Sequence, residues 1–253
     1  MDSRNRSGGP GGPVGSVRTA VVWEVLSAAL AEADPSGGGL VVVDAGGGTG
    51  GFAVPLAQEG HRVTVVDPSP DSLAALQRRA AERGLSVEAL QGDLVDLPQL
   101  VALGTADLVL CHSVLEVVDD AAAALSAVAG ALRAGGRLSL LVANRDAAVV
   151  ARALAGRPDE AAHVLTDPLG RWGPADGTAR RWTPTAIIEL VEAAGLVVEQ
   201  VHGVRTVSDL VPSAVLDTEP GAASALLALE RALSSRAPFP DLATQLHLLA
   251  RKG

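Results

Sequence analysis

One junction constrains this chain more than any other. Leu40-Val41-Val42-Val43 is an apolar, mostly β-branched run that ends in an acid, Asp44, and passes at once into Ala45-Gly46-Gly47-Gly48-Thr49-Gly50-Gly51; Phe52 to Gln58 follows at helical spacing. Glycines let that turn adopt positive φ and let its backbone approach a ligand closely, because no Cβ intrudes. Strand, glycine turn and helix in this order point to a parallel α/β sheet whose ligands bind beyond the carboxyl ends of the strands.

The rest of the chain repeats the alternation. A helix over Val17 to Ala33 precedes the first strand. A second strand, Arg62 to Val66, ends at Asp67, and Ser69-Pro70 supplies an N-cap and a first-turn proline for a helix that stops at Gly84. Val87 to Leu90, Ala106 to Cys111 and Arg137 to Val142 read as further strands, with a polar turn near Asp96 and an Ala-rich helix from Asp120 to Arg133 between them. Thr183-Pro184 opens a helix ending at Gly195, and Val197 to Val204 and Leu242 to Leu249 alternate as paired closing strands. Residues 1–16, rich in Gly, Pro and Ser, are expected to be a flexible arm before one domain, 17–253. That domain carries two insertions: 144–182, with a helix to Gly156 and then an irregular stretch, and 208–240, with one Ala/Leu helix.

Composition narrows the function. A formal charge of −9 argues against general phosphate neutralisation as a binding mode. The single cysteine, Cys111, allows no internal disulfide and no cysteine-based zinc site, which suits a reducing cytoplasm, and no His/Asp/Glu cluster suggests a metal. No apolar run approaches the ~20 residues that cross a bilayer, and the N-terminus does not read as a signal peptide.

Gly46, Gly48 and Gly51 satisfy G-x-G-x-x-G, and Asp67 stands 21 residues after Gly46, so a dinucleotide fits on paper. Asp44 directly before the turn, and a further acid after the third strand in Gln91-Gly92-Asp93-Leu94, suit S-adenosylmethionine (SAM) better. Asp44-Ala45-Gly46-Gly47-Gly48-Thr49-Gly50 resembles the strand-Asp-x-Gly-x-Gly-x-Gly signature of the class I SAM-dependent methyltransferases, and the resemblance runs from about Val17 to Arg251. It implies a Rossmann-like, doubly wound sheet of seven strands, mostly parallel with an antiparallel last strand. It also implies that Gly46, Gly47, Gly48 and Gly50 pass under the methionine part of SAM, with Asp44 and Pro68 in the same cofactor set. Asp67 would accept both ribose hydroxyls, Asp93 would meet the adenine amino group, and the Leu94 amide a ring nitrogen; S-adenosylhomocysteine (SAH) is the product.

Two further segments, His112-Ser113-Val114-Leu115-Glu116-Val117-Val118 and Gly15-Ser16-Val17-Arg18-Thr19-Ala20-Val21-Val22-Trp23, are similar to the bacterial tRNA 5-carboxymethoxyuridine methyltransferases. By that resemblance Arg18 reaches the SAM carboxylate, His112 lines the cofactor pocket, and the partner is a tRNA anticodon loop. The chain departs from the pattern at Thr244-Gln245-Leu246-His247, where the subfamily tends to show Arg-Tyr-x-His, and at Ala143, where a tyrosine is usual. With no tyrosine and two phenylalanines, Trp23, Trp172 and Trp182 are the main rings on which a base could stack.

Between Arg145 and Arg181 six arginines stand against five acids, while the remainder is strongly acidic. Phosphates of an RNA acceptor should therefore meet Arg180 and Arg181 beside Trp182, with Asn144 at the end of the fifth strand also on the substrate side. Methyl transfer from a sulfonium needs alignment more than side-chain chemistry. A carboxylate acceptor is already ionised, whereas a hydroxyl or amine benefits from a base, so His112 is the candidate catalytic residue, as a base or as a neutral hydrogen-bond donor. The absence of Asn/Asp-Pro-Pro-aromatic after the fourth strand sets aside methylation of exocyclic amines, and the alternative acceptor is a small-molecule metabolite.

Overall fold

In a computed structural model, which describes residues 17–253, all seven expected strands join one sheet. They are β1 (Val41–Ala45), β2 (Arg62–Asp67), β3 (Glu88–Gln91), β4 (Ala106–His112), β5 (Leu132–Ala143), β6 (Leu196–Val204) and β7 (Gln245–Lys252), in the order β3-β2-β1-β4-β5-β7-β6. The first five pair in parallel, and β7 slots antiparallel between β5 and β6. Sheet growth reverses between β1 and β4, the switch point at which doubly wound sheets bind ligands.

Apolar layers cover both faces. On one, α1 (Val17–Ala33), α2 (Ala53–Gln58) and α3 (Pro70–Ala81) bury Leu26, Leu56 and Leu76 against Val42, Val65 and Leu110. On the other, α4 (Leu97–Leu100), α5 (Ala121–Ala131) and α8 (Pro184–Ala193) bury Leu97, Leu125 and Ile187 against Val109, Leu140 and Leu248. Caps start these helices where the sequence places them: Ser69, Asp120 and Thr183 each accept an amide from the first turn they precede.

The differences from expectation lie in the connections. The stretch after Gly156 contains a helix, α7 (Pro158–Thr166), which follows α6 (Arg145–Leu154). Its signal was present: Pro158 opens it, and Asp159 and Glu160 in its first turn complement the helix dipole. The segment between β6 and β7 holds α9 (Ser213–Thr218), α10 (Ala222–Leu233) and α11 (Phe239–Leu242), not a single helix. Strand β5 begins at Leu132, because the chain turns extended directly after Ala131 and a register irregularity opposite Ala106–Leu108 absorbs Arg133 to Gly136. Within α10, Glu230 is 1% exposed and its carboxylate receives the amides of Thr206, Val207 and Ser208 at 3.0, 2.9 and 2.6 Å. That clasp fixes the turn at which the chain leaves β6. The expected arm, 1–16, lies outside the described residues.

Candidate functional site

The glycine turn is shaped by its neighbours. Gly46, Gly48 and Gly50 have φ of 80°, 52° and 78°. A Cβ on Gly46 would fall 2.3 Å from Val114 Cγ2, one on Gly47 2.5 Å from the Asp44 carboxyl, and one on Gly50 2.3 Å from Leu76 Cδ1. Gly48 N donates to Asp67 Oδ2 at 2.9 Å and Ser69 N to Asp67 Oδ1 at 2.9 Å, so each oxygen of Asp67 spends one acceptor site on backbone. A carboxylate has about four such sites, which leaves two for a vicinal diol such as a ribose. Burial, reinforced by the charge of Asp67, pushes Asp44 up to about 7. Donor and acceptor chemistry here fits a nucleoside bearing a cationic amino-acid tail, as SAM does.

Asp93 lies exposed just past β3, while the Leu94 side chain is buried. Pro68 is exposed after β2, and its carbonyl accepts from Gln91 Nε2 at 3.3 Å. Arg18 falls in the first turn of α1; its side chain is not among those the structure describes. Trp23 of that helix stacks on Phe52 at 4.7 Å, and Phe52 meets His112 edge-on at 4.6 Å, so α1, the glycine turn and the end of β4 form one aromatic corner. His112 Nε2 is 2.8 Å from Ser139 Oγ, and burial drives its pKa down to about 3, so the ring is neutral at physiological pH.

Next to this corner opens a cleft of about 440 Å³. Ser113, Glu116 and Val117 form its wall on the glycine-turn side, where Val114 touches Gly46. Ser113 holds φ at 57°, an uncommon value for a residue with a Cβ, and its hydroxyl accepts from Gln245 Nε2 at 3.2 Å. Arg152, Arg181 and Arg205 also line the cleft, whereas their carboxylate partners, Glu160, Asp176 and Asp209, do not. Trp172 completes the wall with the Arg152 guanidinium 4.6 Å from its ring centre. Glu116 is 7% exposed; one carboxyl oxygen accepts Ala143 N at 2.7 Å, and burial raises its pKa.

The structure separates the substrate-side candidates. Asn144 and Arg181 reach the cleft, but both side chains are committed to the fold. Asn144 donates to the carbonyls of Asp241 and Ala243, each at 2.8 Å, and accepts the Asp146 amide, clipping β5 to α6 and α11. Arg181 pairs bidentately with Asp176 at 2.6 and 3.0 Å. Burial opposes ionisation of Asp176, yet Arg181 and the amides of Thr178 and Trp172 outweigh it and hold its pKa below the usual range. Arg180 lies over Trp182 and reaches Val118 O, outside the cleft lining. Of the three tryptophans, only Trp172 lines the cleft; Trp23 is packed on Phe52 and Trp182 against the core. In sequence, Arg152 stands only as one of the six arginines between Arg145 and Arg181, Glu116 and Gln245 stand only within the segments on which the resemblance turns, none of the three has a role, and Arg205 is not among the expected residues. Arg205 carried the one available signal in hindsight, since it follows β6 directly and β6 ends opposite Gln245, where the sequence lacks the arginine and tyrosine of its resemblance.

Comparisons with known proteins agree with this geometry. A family profile described as a methyltransferase domain matches residues 42–136. A tRNA 5-carboxymethoxyuridine methyltransferase of Escherichia coli O157:H7 is 30% identical over 240 residues, covering 94% of this chain and 89% of that protein. A ubiquinone biosynthesis O-methyltransferase of Methylobacterium sp. (strain 4-46) is 34% identical over 171 residues, 66% of this chain and 63% of that protein. Among solved structures, a SAM-dependent methyltransferase from Mesorhizobium loti superposes with a TM-score of 0.63 at 22% identity, covering 95% of this chain and 100% of that one. Magnesium protoporphyrin IX methyltransferase from Synechocystis PCC 6803 with bound SAH gives 0.59 at 21% identity, covering 94% and 84%. Among the described residues no helix is long and apolar enough to cross a membrane, and no group of His, Cys, Asp and Glu is placed to hold a metal ion.

Proposed function

The chain belongs to the class I SAM-dependent methyltransferases, and from that premise we propose that it O-methylates a carboxylate carried on a planar ring, with the 5-carboxymethoxyuridine of tRNA as acceptor. One observation carries this reading: three guanidinium groups line the cleft beside the glycine turn, while the acids that pair with them stand outside its lining. An anion entering the cleft meets the donor side of each ion pair. Arg152 and Arg205 keep N–H groups beyond those their acids engage, and the flat face of Trp172 suits a ring.

When bound, SAM supplies an electrophilic methyl group on a sulfonium. Asp67, with its two remaining acceptor sites, would hold the ribose hydroxyls, and Asp93 and the Leu94 amide would meet the adenine. The acceptor carboxylate needs no base, because it is ionised at neutral pH. His112 acts as a neutral ring: as a cation it would repel the sulfonium, and its low pKa keeps it uncharged. The segment 144–182, which supplies Arg152, Trp172 and Arg181 to the cleft wall, would keep water from the reacting atoms.

The test is transfer of labelled methyl from SAM by purified protein into tRNA from a strain lacking the gene, followed by a mild-base wash. Base-labile label in tRNA supports the carboxyl reading. A second reading, methylation of a small-molecule metabolite, is favoured by the likeness to the ubiquinone enzymes and by the apolar cleft wall of Val117, Ala147, Ala148 and Ala151. Under it the tRNA stays unlabelled while the protein still binds SAM.

A further inference from the structure

The sheet face under α1 carries a row of polar side chains beside the Arg137 that ties β5 to Glu32 of α1, and three of that row, Ser139, His247 and His202, take no part in the chemistry above. Ser139 on β5 and His247 on β7 are both 0% exposed. Ser139 Oγ lies 2.8 Å from His112 Nε2 and 2.7 Å from His247 Nε2, and the His202 ring of β6 packs at 5.9 Å from that of His247. Registers explain the row: His112 is paired with Leu141, Leu141 with His247 and His247 with His202, so all point to one face, and Ser139 is two residues from Leu141 on that same face. An alanine at 139 with apolar residues at 112, 247 and 202 would fill this layer without any polar group to satisfy, so the arrangement is not needed for packing.

A serine hydroxyl carries one proton. With two imidazole nitrogens as its only hydrogen-bond partners among the described residues, it donates to one and accepts from the other. If His247 donates its Nε2 proton to Ser139, the hydroxyl points at His112 Nε2 and His112 must carry its own proton at Nδ1; the opposite arrangement reverses both rings. The two histidines therefore hold complementary tautomers. Nδ1 of each is buried without a partner among the described residues, so nothing else fixes the choice. His112 is where the chain meets the site, against Phe52 and next to Ser113 of the cleft wall.

We propose that Ser139 and His247 are positioning residues that hold the His112 ring and tie its tautomer to that of His247, and so set whether Nδ1 of His112, the nitrogen turned away from Ser139, carries a proton. The identity of the cofactor pocket rests on the methyltransferase reading; the coupling between the rings does not.

The test uses the full chain labelled with 15N-histidine, whose ring nitrogen shifts report tautomers at neutral pH, with His112→Gln and His247→Gln giving the assignments. Opposite tautomers for the two rings are expected. Ser139→Ala should leave His112 in a mixture and raise the dissociation constant of SAH about tenfold, the scale of one lost hydrogen bond. Ser139→Thr, which keeps the hydroxyl, should restore both. A misfolded Ser139→Ala would still leave the wild-type tautomers and Ser139→Thr to decide. Identical tautomers in the wild type, or an unchanged His112 signal and SAH affinity in Ser139→Ala, would overturn the proposal. A wild-type protein that does not bind SAH would overturn the assignment of the pocket and leave the tautomer result standing.

Discussion

Gly46 and Val114 meet so closely that a Cβ on the glycine would stand 2.3 Å from Val114 Cγ2. The turn leaving β1 and the segment leaving β4 are thus seated on each other at the switch point of the sheet. Gly46→Ala must both displace Val114 and hold φ at 80°, which together should cost about 2–3 kcal/mol. Gly51→Ala is the control, because a Cβ there meets nothing within 4 Å and φ is not in the left-handed region. Thermal unfolding should show a clear drop for the first variant and little change for the second. Equal effects would mean that this contact does not shape the turn.

Under the proposed function, Asp44 should make cofactor binding depend on pH. Burial, then the neighbouring Asp67, lifts it to about 7, so below neutrality it is protonated in the free protein. A cationic ligand favours the ionised form and expels that proton. Affinity for SAM should therefore rise with pH up to about 7 by as much as tenfold per unit, and level off above. SAH lacks the sulfonium charge and should show a shallower slope. Calorimetric titrations of both ligands between pH 5.5 and 8 measure this, and Asp44→Asn should flatten both curves. A SAM affinity independent of pH would show that Asp44 does not sense the ligand's charge.

Stability carries two opposed pH dependences. For His112, His202 and His247 burial lowers the folded-state pKa below 6.5, so the native state disfavours the proton that the unfolded chain takes up. Their contribution is complete above about 6.5 and is lost as pH falls. Asp44 has the reverse sign: its folded pKa is raised above 3.8, so its contribution is present at acid pH and lost as pH rises towards 7, a term of the order of 4 kcal/mol at full ionisation. Chemical denaturation between pH 7 and 5 should show a net loss on acidification from three histidines against one aspartate. Asp44→Asn should steepen that loss and His247→Phe should reduce it. A loss left unchanged by His247→Phe would place the acid sensitivity elsewhere.

The glycine turn and the strand-end acids around it were legible in sequence because the turn is written in consecutive residues. The strand, the acid and the glycines from Leu40 to Gly51 are contiguous, and Asp67 and Asp93 each end a strand whose apolar run is unmistakable. The acceptor half was not, because it is assembled from distant segments whose residues have ordinary local roles. Arg180 and Arg181 are adjacent basic residues beside a tryptophan, yet Asp176 five positions earlier claims Arg181, and a helical return brings Arg152 to the ring of Trp172 instead. Ser139 and His247 are 108 residues apart and look like surface residues of alternating strands until β7 is known to lie between β5 and β6. Pairing order in an antiparallel addition is set by the whole fold and not by the strand that joins.

That division predicts which arginines matter to the acceptor. Arg205 holds a positive φ of 61° directly after β6, is anchored by Asp209, and receives the Thr244 amide at its carbonyl, so its guanidinium is presented beside Thr244 and Gln245 on the cleft wall. Arg152 stands across Trp172. Removing either to alanine should raise KM for the acceptor about tenfold or more, at the lower end of the 1.5–3 kcal/mol typical of a charged hydrogen bond, and leave SAM binding unchanged. Arg180→Ala, outside the cleft, should change KM less than twofold. Arg181→Ala should act differently again: it leaves the Asp176 carboxylate, whose side chain is 2% exposed, with the Trp172 and Thr178 amides alone, and should lower stability by about 1.5–3 kcal/mol before it affects binding. Steady-state kinetics and thermal melts on the four variants separate these cases. If Arg180→Ala weakened acceptor binding more than Arg205→Ala, the acceptor would be entering over the α8 side of the insertion and not through this cleft.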